Sequence, residues 1–156
     1  MPTDRPLNSE ERMKLTNFIQ LAMKRLGADR VTSPHPDKLL TLVSQAIDLH
    51  RRQDEADRHA GLFDATVSLG TLWGQIICDQ VGWTWASIKT EGVSDVFGVV
   101  SPNRSHLIFP LHHINVLLLD PSREQNSLTL YNDLKARVLP PSKEHAYTVI
   151  GTLVTL

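Results

Sequence analysis

Apolar residues recur at helical spacing three times in the first half of the chain. Leu15, Phe18, Ile19, Ala22 and Leu26 repeat every three or four positions, which places them on one face of a helix. Asn8 and Glu11 stand at the spacing of a capping box, and Gly27 suits the residue that closes the helix. Leu39, Leu42, Val43, Ala46, Ile47 and Leu49 repeat the pattern, predicting a second helix from Pro36 to about Arg52. Between the two, Ala28 to Pro36 reads as a connector. The third run follows Gly61, with Phe63, Val67, Leu69, Leu72, Trp73, Ile76, Ile77 and Val81. These occupy more than one stripe, so this helix must be covered on nearly all sides. Gly70 and Gly74 share one of its faces, one turn apart. Each costs about 1 kcal/mol against alanine inside a helix, so the pair predicts a neighbouring backbone packed close to that face.

Gly82 makes a fitting cap, and after it the period shortens to two. Trp83 and Trp85 fall on one face of a strand running to Lys89, with Ala86 and Ile88 on the other. Thr90 to Asp95 holds turn residues, and Val96 to Val100 reads as the returning strand. Ser101 to Ser105 is a second turn and His106 to Pro110 a third short strand, which together predict an antiparallel meander. Leu111 to Asp120 fits either a helix started by Pro110 or a further strand, and helix is preferred. A short helix carrying Leu128, Leu130, Tyr131, Leu134 and Val138 is capped by Asn126 or Ser127 and ended by Pro140 and Pro141. Tyr147 to Leu156 is β-branched and compatible with another strand, while residues 1–8, with two prolines, read as a fraying leader. The prediction is one α+β domain over residues 1–156, with N-terminal helices packed on a small antiparallel sheet and one or two later helices.

Composition narrows the classes of function. A chain of 156 residues is long enough for one domain with a true core. Lys and Arg number 16 against 17 Asp and Glu, which argues against general electrostatic binding to nucleic acid. The single cysteine, Cys78, permits no internal disulfide, and among Ile76 and Ile77 it reads as a small buried hydrophobe more than as a nucleophile. The polar first residues lack an apolar signal region, and the longest apolar runs, such as Val116 to Leu119, fall far short of a membrane span. The expected compartment is the cytoplasm, with no membrane partner.

Candidate chemistry is sparse. The adjacent His112 and His113 diverge on a helix or a strand, His50 and His59 are badly spaced for one helix face, and no paired metal-ligand motif occurs. There is no Gly-x-Ser-x-Gly, and the glycines of the third helix precede the strand instead of following it, the wrong order for a phosphate loop. No catalytic residue, cofactor or metal is expected. Trp73, Trp83 and Trp85 read first as core fillers, and otherwise as an aromatic cluster at a binding site. The densely charged stretch from His50 to His59 reads as a solvated helix end or loop, or as a polar contact surface. Glu91 and Asp95 bracket the hairpin turn, where binding residues often sit.

Four of these features occur together. The Leu69-Gly-x-x-x-Gly74 helix, Gly82-Trp-x-Trp85, Val99-Val-Ser-Pro102 and Ile108-Phe-Pro110 resemble a small bacterial domain family of undefined function, similar to immunity proteins of toxin systems. The resemblance covers roughly residues 62–120 and transfers no catalytic residue. The chain departs from the family pattern at Gln75, where an acidic residue follows the second glycine. What the resemblance implies is a non-enzymatic cytoplasmic protein that neutralises a cognate toxin by direct binding. Asp54, Glu55, Asp57, Glu91 and Asp95 are then the first candidates for contact, since such interfaces use charge complementarity. Two alternatives are a small-molecule or metal site, or a small enzyme, beside the tryptophans and the His112–His113 pair, and an adaptor in a larger assembly.

Overall fold

The computed structural model describes residues 1–30 and 34–151. Helices α1 (Ser9–Arg25), α2 (Pro36–Arg51), α3 (Glu55–Ala60), α5 (Pro110–Leu119) and α6 (Ser127–Lys135) all pack against α4 (Leu62–Val81). As its many-sided apolar pattern requires, α4 buries Ala65, every residue from Ser68 to Gly74, Ile76 and Ile77. Its glycine face is occupied. A Cβ on Gly70 would lie 2.8 Å from the Leu111 Cα, and one on Gly74 would lie 2.6 Å from the Trp85 ring and 2.8 Å from Pro110 Cγ. The first turn of α5 and the Trp85 ring therefore lie where side chains would otherwise stand.

Local signals account for most helix boundaries. Asn8 and Glu11 form the reciprocal capping box of α1, and the His35 side chain caps α2 through the Asp37 N–H. Gly27 and Gly82 both adopt positive φ after a helix end, +68° and +82°. The segment expected to be a solvated helix end or loop contains α3, whose N-cap Asp54 accepts a 2.9 Å hydrogen bond from the Asp57 N–H. The expected inclusion of Val138 in α6 is corrected. That helix stops at Lys135, Arg137 takes φ +60°, and Val138 stands 65% exposed beyond it. Leu111 to Leu119 is helical, with Pro110 in the first turn of α5 and Asp120 as its extended C-cap. Part of the connector, residues 31–33, and residues 152–156 of the last predicted segment lie outside the described residues.

The sheet has the order β1-β2-β3-β4-β5, formed by Thr3–Pro6, Thr84–Thr90, Val93–Val100, His106–Ile108 and Thr148–Ile150. The predicted meander is its centre, β2-β3-β4. The hairpin turn is tighter than predicted, Glu91 and Gly92, with Gly92 at φ +75° and a register shift between Ile88 and Thr90. Trp83 stands one residue before β2. The expected fraying leader is corrected: Thr3 pairs with Lys89, Asp4 with Ile88, Arg5 with Ser87 and Pro6 with Ala86. A proline is compatible with this strand because β1 is an edge. β5 closes the other edge and runs parallel to β4, which makes the sheet mixed.

Both faces of the sheet are apolar. Trp85, Val99, Ile108 and Ile150 join the helical core, while Ala86, Ile88, Val100, Leu107, Phe109 and Tyr147 form a second cluster. The second cluster exists because the sheet curls. Five strands laid flat would put the edges about 19 Å apart. Yet Tyr147, next to β5, donates its hydroxyl to Asp4 of β1, and Arg104 pairs with the same carboxylate at 3.2 Å. Gly98 opens the centre of the curl, since a Cβ there would meet Ile88 Cγ1 at 2.6 Å and Leu107 Cδ1 at 2.9 Å.

Two outcomes follow from this packing. Gly74→Leu overpacks the junction of α4, α5 and β2 and lowers stability by roughly 1–3 kcal/mol or more, read from chemical denaturation; an unchanged midpoint would mean the face is open. Burial raises the Asp4 carboxyl, but the bond from Tyr147 and the Arg104 guanidinium outweigh it and hold it below 3.8. Its stabilisation is thus complete above that pH and fades as pH falls through the lowered value. Burial and the Asp4 charge push the Tyr147 phenol up to about 12 from 10.0, so its contribution is complete below pH 10.0 and is lost towards 12. Relative to wild type, Asp4→Asn flattens the acid limb of the stability profile and Tyr147→Phe the alkaline limb.

Candidate functional site

At Pro6 the edge strand leaves β2 and the chain turns into α1. There a cleft of about 450 Å³ opens between α1, the C-terminal half of α4, and the start of β2. Leu7, Leu15, Ile19, Trp83 and Trp85 supply its apolar walls, and Asp4, Arg12, Thr16, Gln75, Cys78 and Arg104 its polar atoms. Helical periodicity puts Leu15 and Ile19 on one side, and strand alternation brings Trp83 and Trp85 to the other. Cleft volume and apolar lining are those of a ligand site.

Most polar atoms of the cleft already have partners. Trp85 Nε1–H donates to Gln75 Oε1 at 3.1 Å, and Gln75 Nε2 donates to Asp79 at 2.8 Å. Thr16 donates its hydroxyl to the Arg12 carbonyl at 3.0 Å. Asp4 and Arg104 neutralise each other. Burial, with Asp79 beside it, pushes the Cys78 thiol up to about 12 against a lowering hydrogen bond from the Trp85 backbone. Cys78 is half-buried in the cleft wall, not fully buried as the small-hydrophobe reading expected, and its surroundings favour the neutral thiol. Arg12 is different. It donates Nη1 to the Leu7 carbonyl at 2.7 Å and makes no ion pair with a described residue.

The three tryptophans do not form one cluster. Trp73 is fully buried away from the cleft, donating Nε1–H to the Ser127 carbonyl at 3.2 Å and stacking on His113 with centroids 5.3 Å apart. His113 is buried and bonded through Nε2 to Asn126 at 3.0 Å; burial holds its imidazole below the ordinary value. His112 and His113 do not line the cleft. Trp83 stacks on His106, whose Nε2–H donates to the Pro140 carbonyl at 2.7 Å while Nδ1 faces the Ser105 hydroxyl at 2.7 Å. His50 is also buried, its Nε2 3.1 Å from the Arg58 carbonyl. Among the described residues no three metal-ligating side chains converge.

The acidic candidates fall on two separate elements. Asp54 caps α3, and Glu55 and Asp57 occupy its first turn, where negative charge suits the positive end of the helix. Glu91 lies in the hairpin turn. Asp95, at φ +58°, sits in β3 and accepts from Arg5 of β1 at 3.1 Å and from Ser87 of β2 at 3.3 Å. It ties three strands together. Helix α3 packs instead on α4 and α5.

No family model, curated protein or solved structure matches this chain.

Among the described residues no helix is long and apolar enough to cross a membrane. Sequence reasoning passed over Arg12, Asp4 and Arg104. A signal existed only for Arg12, which stands three residues before Leu15 and seven before Ile19, on the margin of the apolar face of α1. Asp4 and Arg104 are a hundred residues apart and meet through the curl of the sheet. The neutral thiol has a direct readout: at pH 8 Cys78 reacts with a thiol reagent slower than free cysteine by on the order of a hundredfold or more. Comparable rates would show a thiolate in the cleft.

Proposed function

We propose that the protein is a non-enzymatic cytoplasmic binding protein, an immunity protein that neutralises a cognate toxin by direct contact. One observation carries the reading. Helix α3 buries no side chain of its own, although its Arg58 carbonyl meets the buried His50, and its cap Asp54 with Glu55 and Asp57 shortly precedes Phe63, which is 73% exposed at the start of α4. An exposed aromatic ring following a short helix of charged side chains of both signs has the composition of an interface anchor with a charged rim. Charge of that kind speeds encounter with a partner of complementary charge pattern and rejects others. The sequence resemblance supports the same class of partner. Glu91 remains a candidate for the rim, whereas Asp95 is committed to Arg5 and Ser87.

The experiment begins with the protein that co-purifies from the native cells, expressed alone and together with this chain. The reading expects that partner to be toxic alone and harmless beside the wild type. Phe63→Ala, or Glu55→Lys with Asp57→Lys, then weakens protection by tenfold or more, on the scale of an interface anchor, with the circular dichroism spectrum unchanged. Asp54→Asn keeps the cap while removing the charge. Full protection after all these changes and Glu91→Lys would place the surface elsewhere, and a partner harmless in isolation would end the immunity reading.

A further inference from the structure

The cleft carries an inference that stands apart from toxin binding. From the start of α4 to Gln75 the helix rises about 20 Å, so the cleft and the α3 surface lie at different ends of it. We propose that the cleft beside Trp83 and Trp85 is a binding site for a small amphipathic carboxylate, an apolar chain or ring ending in one carboxylate that Arg12 receives. Three features define that ligand. The walls contributed by Leu7, Leu15, Ile19, Trp83 and Trp85 suit an apolar body, and about 450 Å³ falls within the ligand-site range of roughly 300–1,000 Å³. The ion pair of Asp4 with Arg104 cancels, which leaves Arg12 as the cleft's one uncompensated charge among the described residues. Most of the neutral polar atoms are occupied: the Gln75 amide bonds at both ends, and the Thr16 hydroxyl donates to a carbonyl, while the exposed Thr84 hydroxyl carries no charge.

Arg12 is the cleft's charged group with the most donors to spare, since Arg104 spends Nε, Nη1 and Nη2 on Asp4 and the Pro102 carbonyl. The Arg12 guanidinium offers five N–H groups, of which one bond, to the Leu7 carbonyl, is made within the chain. That bond also holds the side chain at the mouth, where α1 begins. A planar fork with free N–H groups is the geometry that receives a carboxylate on two bonds. A cationic ligand would be repelled by it. A neutral one would leave those N–H groups to water.

Decanoate, decanol and decyltrimethylammonium share one apolar chain and differ in the head group, so they separate these cases. Calorimetry and the indole N–H resonances of the full chain are the readouts. Decanoate is expected to bind saturably at one per chain, to raise the melting temperature, and to shift the indole signals of Trp83 and Trp85. Trp73, outside the cleft, is the internal control and stays in place. Decanol binds about tenfold more weakly, the difference a charge-assisted pair contributes, and the ammonium compound more weakly still. Arg12→Gln reduces decanoate affinity to that of decanol, and Thr16→Phe, which fills the cleft, lowers both. Equal affinity of the wild type for decanoate and decanol, a head-group preference unchanged in Arg12→Gln, or a shift confined to Trp73 would each overturn the proposal. So would the absence of saturable binding. The wild-type comparison decides the matter even if a variant fails to fold, and none of these results bears on protection from a toxin.

Discussion

The close approach of α5 and Trp85 to the glycine face of α4 is the contact on which the helical layer depends. At Gly70 and Gly74 there is room for backbone, a proline ring and an indole, but not for a side chain. That contact sets where α5 starts and how far the sheet lies from the helical layer. It also positions the indole so that its N–H reaches Gln75. The cost of two glycines in a helix interior, about 1 kcal/mol each, is offset by dense packing along the most buried element of the fold.

A second constraint lies at the edges of the sheet. Strand β1 has only four residues and β5 only three, too few to hold by ladder hydrogen bonds alone. They are fastened by side chains: Tyr147 and Arg104 converge on Asp4, and Arg5 is shared between Glu11 and Asp95. Gly98 allows the curl that brings the first pair of contacts together. The cleft is a consequence of the same arrangement. It opens where β1 ends and α1 departs, and Asp4 and Arg104 stand in its wall.

The tryptophans illustrate how one residue type divides its roles. Trp73 anchors α6 to α4 through the Ser127 carbonyl, Trp83 covers His106, and Trp85 packs edge-on against Phe97 while bridging sheet and helix. Two of the three also face the cleft. Core filling and site lining, which the sequence presents as rival readings, are both true of Trp83 and Trp85. The histidines are used differently: His50, His106 and His113 are buried and each is bonded to a neighbouring group.

What the sequence by itself determined was everything decided within a few residues. The faces of α1, α2 and α4 follow from spacing of three and four, their ends from Asn8, Gly27 and Gly82, and the β2-β3-β4 meander from alternation between turns. The glycine pair even announced a close neighbour, though not which one. The tertiary structure alone decided the rest. Strand β1 is too short to carry a period and exists because a partner edge receives it, and β5, in the β-branched stretch compatible with a strand, took its place and parallel direction from β4. The end of α6 depends on a left-handed Arg137 that composition does not mark. The cleft collects residues from Asp4 to Arg104, contributed by elements that meet only when the sheet curls and α1 folds back on α4. Local spacing can specify a face, but which faces meet is settled by packing, and the candidate ligand site lies where they do.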